Sequence, residues 1–447
     1  MERKELETLK GLLEKRDIKA VRVFLSSLHA ADIAELLTFL EGREKVGTFL
    51  NLTTDVASKV ILETDDSTRE YLIASLSKGK LTEIVDEMDT DDATDIIGEL
   101  PEEEAKIVLE GIDREESEAV QKLLKHEEDT AGGLMQTELV AIKEDATLME
   151  AIDGIRAISE KMPNIHNVFV VAEDNRLVGI LPIRKLILNK PKVKVKEIMD
   201  HKCVRVRVDL DQEEVARVFQ KYNVVSLPVV DFHDRLVGRI TIDDVVDVIE
   251  EEVFEDFYRM AGLREDDRVF SPTFLSVRKR LPWLFFNLLT AMLAASVVGF
   301  FQETIHTVVA LAVLMPIVAG MGGNAGTQTL TVIVRGIALG ELTFDNARKA
   351  FFKEVMVGIL NGVAIGTAIA ILAYIWKGNF ILGLVIGLAM VINMFVAGLT
   401  GTIIPLTLRW LKIDPALAAG VFVTTFTDLF GFLSFLGLAT LFLRFLT

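Results

Sequence analysis

Apolar positions change their spacing twice along the chain, and each change marks a different kind of structure. From residue 1 to about 125 they recur every three or four residues, as at Ile33, Leu36, Leu37 and Leu40, the signature of amphipathic helices. Within this stretch proline occurs only at Pro101. A short repeat is superimposed. The segments opening at Met88 (MDTDDATDIIGE), Leu100 (LPEEEAKIVLEG) and Ile112 (IDREESEAVQKL) each start with an apolar residue, pass through an acidic or Pro-Glu opening, and continue as an amphipathic run, with a period of 12 residues. Acidic residues suit helix N-termini, where they cap free N–H groups and oppose the helix dipole. Short helices in such a row stack into a superhelix with neighbour contacts only. Asp89, Asp91, Asp92 and Asp95 crowd one opening, either as caps and a solvated face or as an edge that senses cations.

The spacing then changes. HEEDTAGGLM (residues 126–135) interrupts the helical pattern with paired glycines. Residues 168–187 (VFVVAEDNRLVGILPIRKLI) and 227–246 (LPVVDFHDRLVGRITIDDVV) are two similar units, offset by 59 residues at the shared Arg-Leu-Val-Gly of Arg176 and Arg235. Each reads as strand, polar turn, strand and helix, preceded by a strand and an amphipathic helix (Thr147–Ser159 and Gln212–Tyr222). This duplicated β-α-β-β-α order resembles a tandem pair of CBS domains. The resemblance implies a regulatory module, with ATP a possible ligand between the units.

The last helix of the second unit runs on as IDDVVDVIEEEVFEDFYRMAGL. Asp244, Asp247 and Glu251 share one face, and Glu252, Glu255 and Asp256 form a second run. Like charges at these spacings repel, so the helix calls for cations or basic partners unless it is a plain solvated face.

Beyond Arg278, Lys279 and Arg280 the pattern becomes almost wholly apolar, with spans at about 283–301, 308–334, 352–376, 380–408 and 415–443, Pro282 opening the first. Each can cross ~30 Å of hydrocarbon. Charge follows the same division. Residues 281–447 hold 8 Lys and Arg against 6 Asp and Glu, so of the whole chain's 48 and 66, 40 and 60 fall in residues 1–280. An acidic region near −20 thus precedes a membrane region near +2. Such a surface disfavours nucleic acid and favours hard divalent cations with oxygen ligands. One cysteine, Cys203, excludes an internal disulfide and a cysteine-rich metal site. The charged opening MERKELETLK lacks the apolar run of a cleavable signal peptide. Arg335, Arg348, Lys349, Lys353, Arg409 and Lys412 lie in loops on the N-terminal side of the membrane, against Lys377 and Arg444 on the other. The positive-inside rule then puts the N-terminus in the cytoplasm and, after five spans, the C-terminus outside.

Two features of the spans carry chemistry. The fifth contains Asp428, flanked only by uncharged residues. A charge at such a depth costs at least ~2.5–3.5 kcal/mol on insertion scales, so Asp428 lies in a polar or cation-occupied cavity or makes an interhelical hydrogen bond. Gly420, Thr424 and Asp428 recur every four residues, giving a narrow polar face suited to hydrated Mg2+, which sheds water reluctantly. The second span contains PIVAGMGGNAGTQ from Pro316. Its glycines either let helices approach closely or, with Pro316, break the helix against a cavity lined by backbone carbonyls, Asn324 and Gln328. A dinucleotide loop is excluded, because no βαβ unit surrounds it. Asn361 and Asn393 suit helix–helix hydrogen bonds. An intramembrane metalloprotease would need HExxH in a span, and the one histidine there is His306 in TIHTVV.

HEEDTAGGLM, the CBS-like pair, GMGGNAGTQ, DPALAAG and TTFTDLFGF, in this order, resemble the MgtE family of magnesium channels and transporters over essentially the whole chain. The resemblance implies a homodimer in the plasma membrane with a pore on its axis. Each subunit would comprise an acidic all-α superhelical N-domain (1–128), an α/β CBS pair (129–200 and 201–250), a connecting or "plug" helix (251–280) and a five-helix membrane domain (281–447). It also implies Asp428 as the pore carboxylate, Gly320, Gly323 and Asn324 as the glycine-rich pore turn, and Asp414 as the acid at the cytoplasmic pore mouth. Regulatory Mg2+ would bind Asp211, Glu213, Asp244, Asp247, Glu252, Glu255 and Asp256, with N-domain partners among Asp91, Asp92 and Asp95. Some members carry Asn where this chain has Gly420, so the resemblance does not carry their selectivity here, and Co2+ or Mn2+ is an alternative cargo.

Overall fold

The 12-residue spacing becomes a row of short helices because each amphipathic run is cut by a turn before it can lengthen. The computed structural model describes residues 3–158, 165–263, 267, 272–417 and 419–446. Among them, ten helices from Arg3–Glu14 to Arg114–Leu123 fill the N-terminal region. Helices pack chiefly on the next but one, as Thr90–Gly98 does on Arg114–Leu123, so the row is a superhelix around one apolar core. Ile33, Leu36, Leu37 and Leu40 are buried in it. The acidic openings divide in role. Asp113 caps its helix, accepting from the Glu115 N–H at 2.8 Å. Asp89 stands at the same position of the repeat and makes no side-chain cap bond.

Two three-stranded sheets follow: β1 (Ala141–Lys143), β2 (Asn167–Val171) and β3 (Leu177–Pro182), then β4 (Val206–Arg207), β5 (Ser226–Val230) and β6 (Leu236–Thr241). In each the first pair is parallel and the second antiparallel. The shared Arg-Leu-Val-Gly motifs meet each other. Arg176 and Arg235 form an antiparallel bridge, and Leu177 N–H donates to the Asp234 carbonyl at 3.0 Å as Leu236 N–H does to that of Asn175. The helices preceding the sheets' second strands are Leu148–Ile158 and Gln212–Tyr222; Ser159, the expected end of the first, lies outside the described residues. HEEDTAGGLM is more than a boundary. Ala131 N–H donates to the Leu210 carbonyl and Gly132 N–H to that of Val208, which docks the segment on the second sheet unit.

The chain forms two compact units, Met1–Ile249 and Glu250–Thr447. The helix Ile242–Met260 begins in the first and ends in the second. It does not continue to residue 280. Gly262 turns the backbone at φ +70°, and the next helix starts at Thr273, after Pro272. The connecting helix is therefore shorter than expected, and the first span reaches further back.

Among the described residues, five helices of the second unit are long and apolar enough to cross a membrane: Thr273–Phe300, Ala310–Ala338, Ala347–Lys377, Phe380–Trp410 and Ala419–Leu441. Pro282 lies inside the first rather than opening it. The second is unbroken through Pro316 and its glycines, contrary to the broken-helix expectation. The glycines act in packing. A side chain at Gly322 would collide with Asn393, and one at Gly326 with Val423. Proline removes only one hydrogen bond here, near the helix start, and close packing offsets it. Asn393 is fully buried and donates from Nδ2 to the Val318 carbonyl at 2.8 Å, the helix–helix bond expected of it. Asn361 is exposed and makes no such bond among the described residues, because it lies on the outer face of its span.

Spans three and four meet along a small-residue seam. A Cβ on Gly366 would lie 2.6 Å from the Gly387 carbonyl oxygen, and one on Gly383 2.5 Å from that of Ala370. Helices in lipid associate through such close packing. Replacing Gly366 by Leu forces the pair apart at a cost of about 1–3 kcal/mol. Thermal unfolding in detergent should fall accordingly, while Gly437→Leu, where nothing lies within 4 Å, should leave it unchanged.

Candidate functional site

Asp428 sits where the fifth span faces open space. With Gly420, Val421, Thr424 and Thr425 it lines a cavity of about 510 Å3. Asn287 and Thr290 of the first span and Thr327 and Thr331 of the second add polar groups, and Phe257, Met260 and Ala261 line one end. Among the described residues nothing hydrogen-bonds to or pairs with the Asp428 carboxylate. The Thr424 hydroxyl donates to the Gly420 carbonyl at 3.1 Å, and that of Thr425 to Val421 at 2.6 Å. Their protons are thus committed to the helix backbone, and their oxygen lone pairs remain available to a hydrated cation.

Of the expected pore residues, the structure brings Gly420, Thr424 and Asp428 together. Gly323 adjoins them: a Cβ there would lie 3.8 Å from Thr424 Cγ2. Gly320 and Asn324 lie on an exposed face of the second span, outside this cavity. Thr327, Thr331, Asn287 and Thr290 were missed. The four-residue spacing of Thr327 and Thr331 was the available signal.

The end of the connecting helix walls one side of the cavity. A Cβ on Gly420 would stand 2.8 Å from the Met260 carbonyl oxygen, so only glycine lets that helix end approach so closely. Arg259 fastens the contact, donating to Asp414 and pairing with Glu255 one helical turn back. Asp414 also accepts from Ala416 N–H at 2.8 Å. Asp256 is half-buried beside this group; burial, then Asp414 and Glu252, pushes its carboxyl up to about 6. Sequence reasoning missed Arg259 and Met260. The acidic run drew attention, whereas its one basic neighbour read as ordinary.

A second acidic cluster lies in the first unit, where the helix Thr90–Gly98 docks on the CBS-like pair. The Thr90 hydroxyl donates to Glu138 at 2.8 Å, and Thr137 N–H donates to Thr90 Oγ1 at 2.9 Å. This docking buries Asp91, leaving it 6 % exposed, and turns Asp89 and Asp92 toward Asp243 and Asp244. Burial, then Asp92 and Asp244, holds Asp91 well above the usual carboxylate range. Burial, then Asp244, pushes Asp92 up to about 8. Burial raises Asp244 to about 6 against the lowering effect of Thr241, whose hydroxyl donates to it at 2.6 Å. Arg239 is the buried cation nearby, bonded to Gln136 at 3.0 Å.

The remaining candidates disperse. Asp95 is exposed. Asp211 caps its helix, accepting from Glu213 N–H at 2.9 Å, and Glu213 pairs with Arg217 at 2.6 Å. Asp247 is exposed and Glu252 half-buried. Oxygen donors of these kinds suit Mg2+. Among the described residues, however, no three carboxylates, histidines or cysteines converge closely enough to enclose a metal ion.

Residues 315–438 match the MgtE family, described as a divalent cation transporter; residues 28–129 match the MgtE intracellular N domain, and 131–190 and 195–251 the CBS domain. The magnesium transporter MgtE of Bacillus subtilis is 32 % identical over 97 % of this chain and 96 % of its own length. That of Thermus thermophilus is 36 % identical over 99 % of this chain and its full length. Among solved structures, the cytosolic domain of the Mg2+ channel MgtE in complex with ATP is 35 % identical, with a TM-score of 0.52 over 54 % of this chain and 99 % of that one. The soluble part of a magnesium transporter is 26 % identical, with a TM-score of 0.51 over 56 % and 98 %.

The raised carboxyls give the docked N-terminal helix a pH dependence of known sign. Asp92 and Asp244 bind protons more tightly docked than free. Their contribution is complete below the ordinary value of 3.8 and is lost as pH rises through about 6 and then about 8. Without divalent cations, melting of the first unit should therefore weaken from about pH 5 to about pH 9, and Asp92→Asn should flatten that slope. A melting temperature that climbs with pH over this range contradicts the assignment.

Proposed function

The chain belongs to the MgtE family of divalent cation transporters, and on that premise we propose that it is a Mg2+ channel of the plasma membrane, closed by the Mg2+ it admits. It is not an enzyme. The observation that carries the proposal is Asp428, a carboxylate with no counter-charge among the described residues, in a polar-lined cavity within a helix long enough to span the membrane. In a homodimer two such carboxylates would attract a hydrated cation from outside. The membrane potential would drive it inward with ~2.3 kcal/mol per charge per 100 mV. The excess of Lys and Arg in the loops on one side supports a cytoplasmic N-terminus.

Gating follows from charge. When cytoplasmic Mg2+ is high, it neutralises Asp91, Asp92 and Asp244 in the first unit and Glu252, Asp256 and Asp414 in the second. It binds the docked state better than the loose one, and the population shifts accordingly. When Mg2+ falls, the uncompensated carboxylates repel, and the end of the connecting helix leaves Gly420. Asp247, near Asp244, and Glu255, paired with Arg259, serve at the margins of these clusters, and Asp211 and Glu213 bind Mg2+ apart from them. ATP, bound by the related cytosolic domain, is a further ligand of the CBS pair. The domain limits proposed are residues 1–128, 129–200, 201–250, 251–280 for the connecting segment and 281–447. Passage of Co2+ or Mn2+ is the second reading. Gly420 favours it, offering the ion no side-chain oxygen where an amide would help discriminate.

Two outcomes test the proposal. In proteoliposomes, Asp428→Ala should cut Mg2+ flux roughly tenfold to hundredfold; wild-type flux in this variant would remove the pore assignment. Limited proteolysis of the full chain should slow when Mg2+ is raised to millimolar levels, and equal cleavage with and without it would sink the gating scheme.

A further inference from the structure

Asn393 of the fourth span is fully buried, and its amide is only half used. Nδ2 donates to the Val318 carbonyl at 2.8 Å, while Oδ1 has no hydrogen-bond partner among the described residues. The bond that is made is worth less than the unmet acceptor costs. The amide therefore brings no net stability, and its place in the fold has to explain it. That place adjoins both spans that carry the cation cavity's wall. A side chain at Gly322 of the second span would collide with the amide, and one at Gly431 of the fifth would stand 2.7 Å from Nδ2. Gly431 lies three residues beyond Asp428, less than one helical turn. We propose that Asn393 is a positioning residue: its amide is the spacer that fixes the distance between the second and fifth spans beside Asp428, and so selects which cations pass with their water. The proposal rests on Asp428 as the pore carboxylate.

The packing of the fourth span supports a spacer. Asn393, Ala397 and Gly401 follow one another at four-residue intervals, so they share one face. A Cβ on Gly326 of the second span would lie 3.9 Å from that of Ala397, and one on Gly401 2.9 Å from the Gly326 carbonyl oxygen. Along this face the side chain shrinks from amide to methyl to hydrogen. The fourth span is thus a wedge, thickest near Asp428. Where the wedge is thin, the second and fifth spans touch directly, since a side chain at Gly326 would collide with Val423. At Gly322 the nearest atoms are those of the Asn393 amide instead. Pore diameter governs selectivity, and Mg2+ sheds its water reluctantly. The thickness of the wedge therefore matters more to Mg2+ than to Mn2+, which exchanges its water more readily.

Fluxes of Mg2+ and of Mn2+ into proteoliposomes holding the full chain test the wedge. Asn393→Ala should lower Mg2+ flux and raise the Mn2+ to Mg2+ ratio roughly tenfold. Asn393→Leu has the same branching and as many side-chain heavy atoms, and should restore most of the wild-type ratio although it lacks the amide. Asn393→Gln, one methylene longer, should shift the ratio the opposite way, and it decides the matter if the alanine variant does not reconstitute. Gly366→Leu, on the seam of the third and fourth spans, should lower the melting temperature without moving the ratio, which separates spacing from stability. An unchanged ratio in the alanine or glutamine variant, no recovery in Asn393→Leu, or an equal shift in Gly366→Leu overturns the proposal. Asp428→Ala keeps the two readings apart. If it conducts like wild type, the pore assignment falls and the spacer with it; if it blocks flux while Asn393→Ala leaves the ratio unmoved, the spacer alone falls.

Discussion

Carboxylates brought together out of water must be neutralised, and this constraint organises the molecule. Burial and mutual repulsion both disfavour the ionised form, and there are three remedies: a proton, a fixed cation or a mobile one. The protein uses them differently in different places. In the first unit, Asp91, Asp92 and Asp244 hold protons far above the ordinary range. In the second, Arg259 is a fixed cation between Glu255 and Asp414, and Asp256 beside it is left with burial and two acidic neighbours. At Asp428 no fixed cation is supplied by the described residues that line its cavity. A mobile divalent ion would answer all three situations, and in the proposed function one ion is both cargo and signal.

The same constraint explains the glycines. A helix end can close over a charged groove only if its backbone comes close enough to exclude water. Gly420 permits that approach by the Met260 carbonyl. Gly322 and Gly326 let the second span pack on Asn393 and Val423, which holds the groove's facing wall rigid. The polar residues that line the groove are therefore few, and much of the membrane unit keeps their spacing fixed.

Much of this was legible in the sequence. The 12-residue period, the duplicated Arg-Leu-Val-Gly and the five apolar runs each follow from a local pattern, and each became the expected element. Asp428 was legible because a lone charge in an apolar run has no local excuse. What was illegible depends on contacts between distant segments. Pro316 and four glycines read as a break, since nothing local indicates that Asn393 and Val423 fill the gaps. Asn361 and Asn393 look alike in sequence, and only packing separates the exposed one from the buried one. Arg259 carried no signal, because its partner Asp414 is 155 residues away. Asp89 and Asp113 occupy the same repeat position, yet one caps a helix and the other faces an acidic neighbour.

The proposed gate is the end of the connecting helix, which, seated on Gly420, would close the path to Asp428. Cys203 is the only native cysteine, so a Cys203→Ser background permits a clean cross-link between Ala261→Cys and Val421→Cys, both lining the cavity. Mg2+ current through the reconstituted double-cysteine protein, recorded before and after oxidation in low cytoplasmic Mg2+, is the most direct measurement. Closure by this contact predicts that the disulfide abolishes the current and that reduction restores it. A fully cross-linked protein that conducts like the reduced one would contradict it.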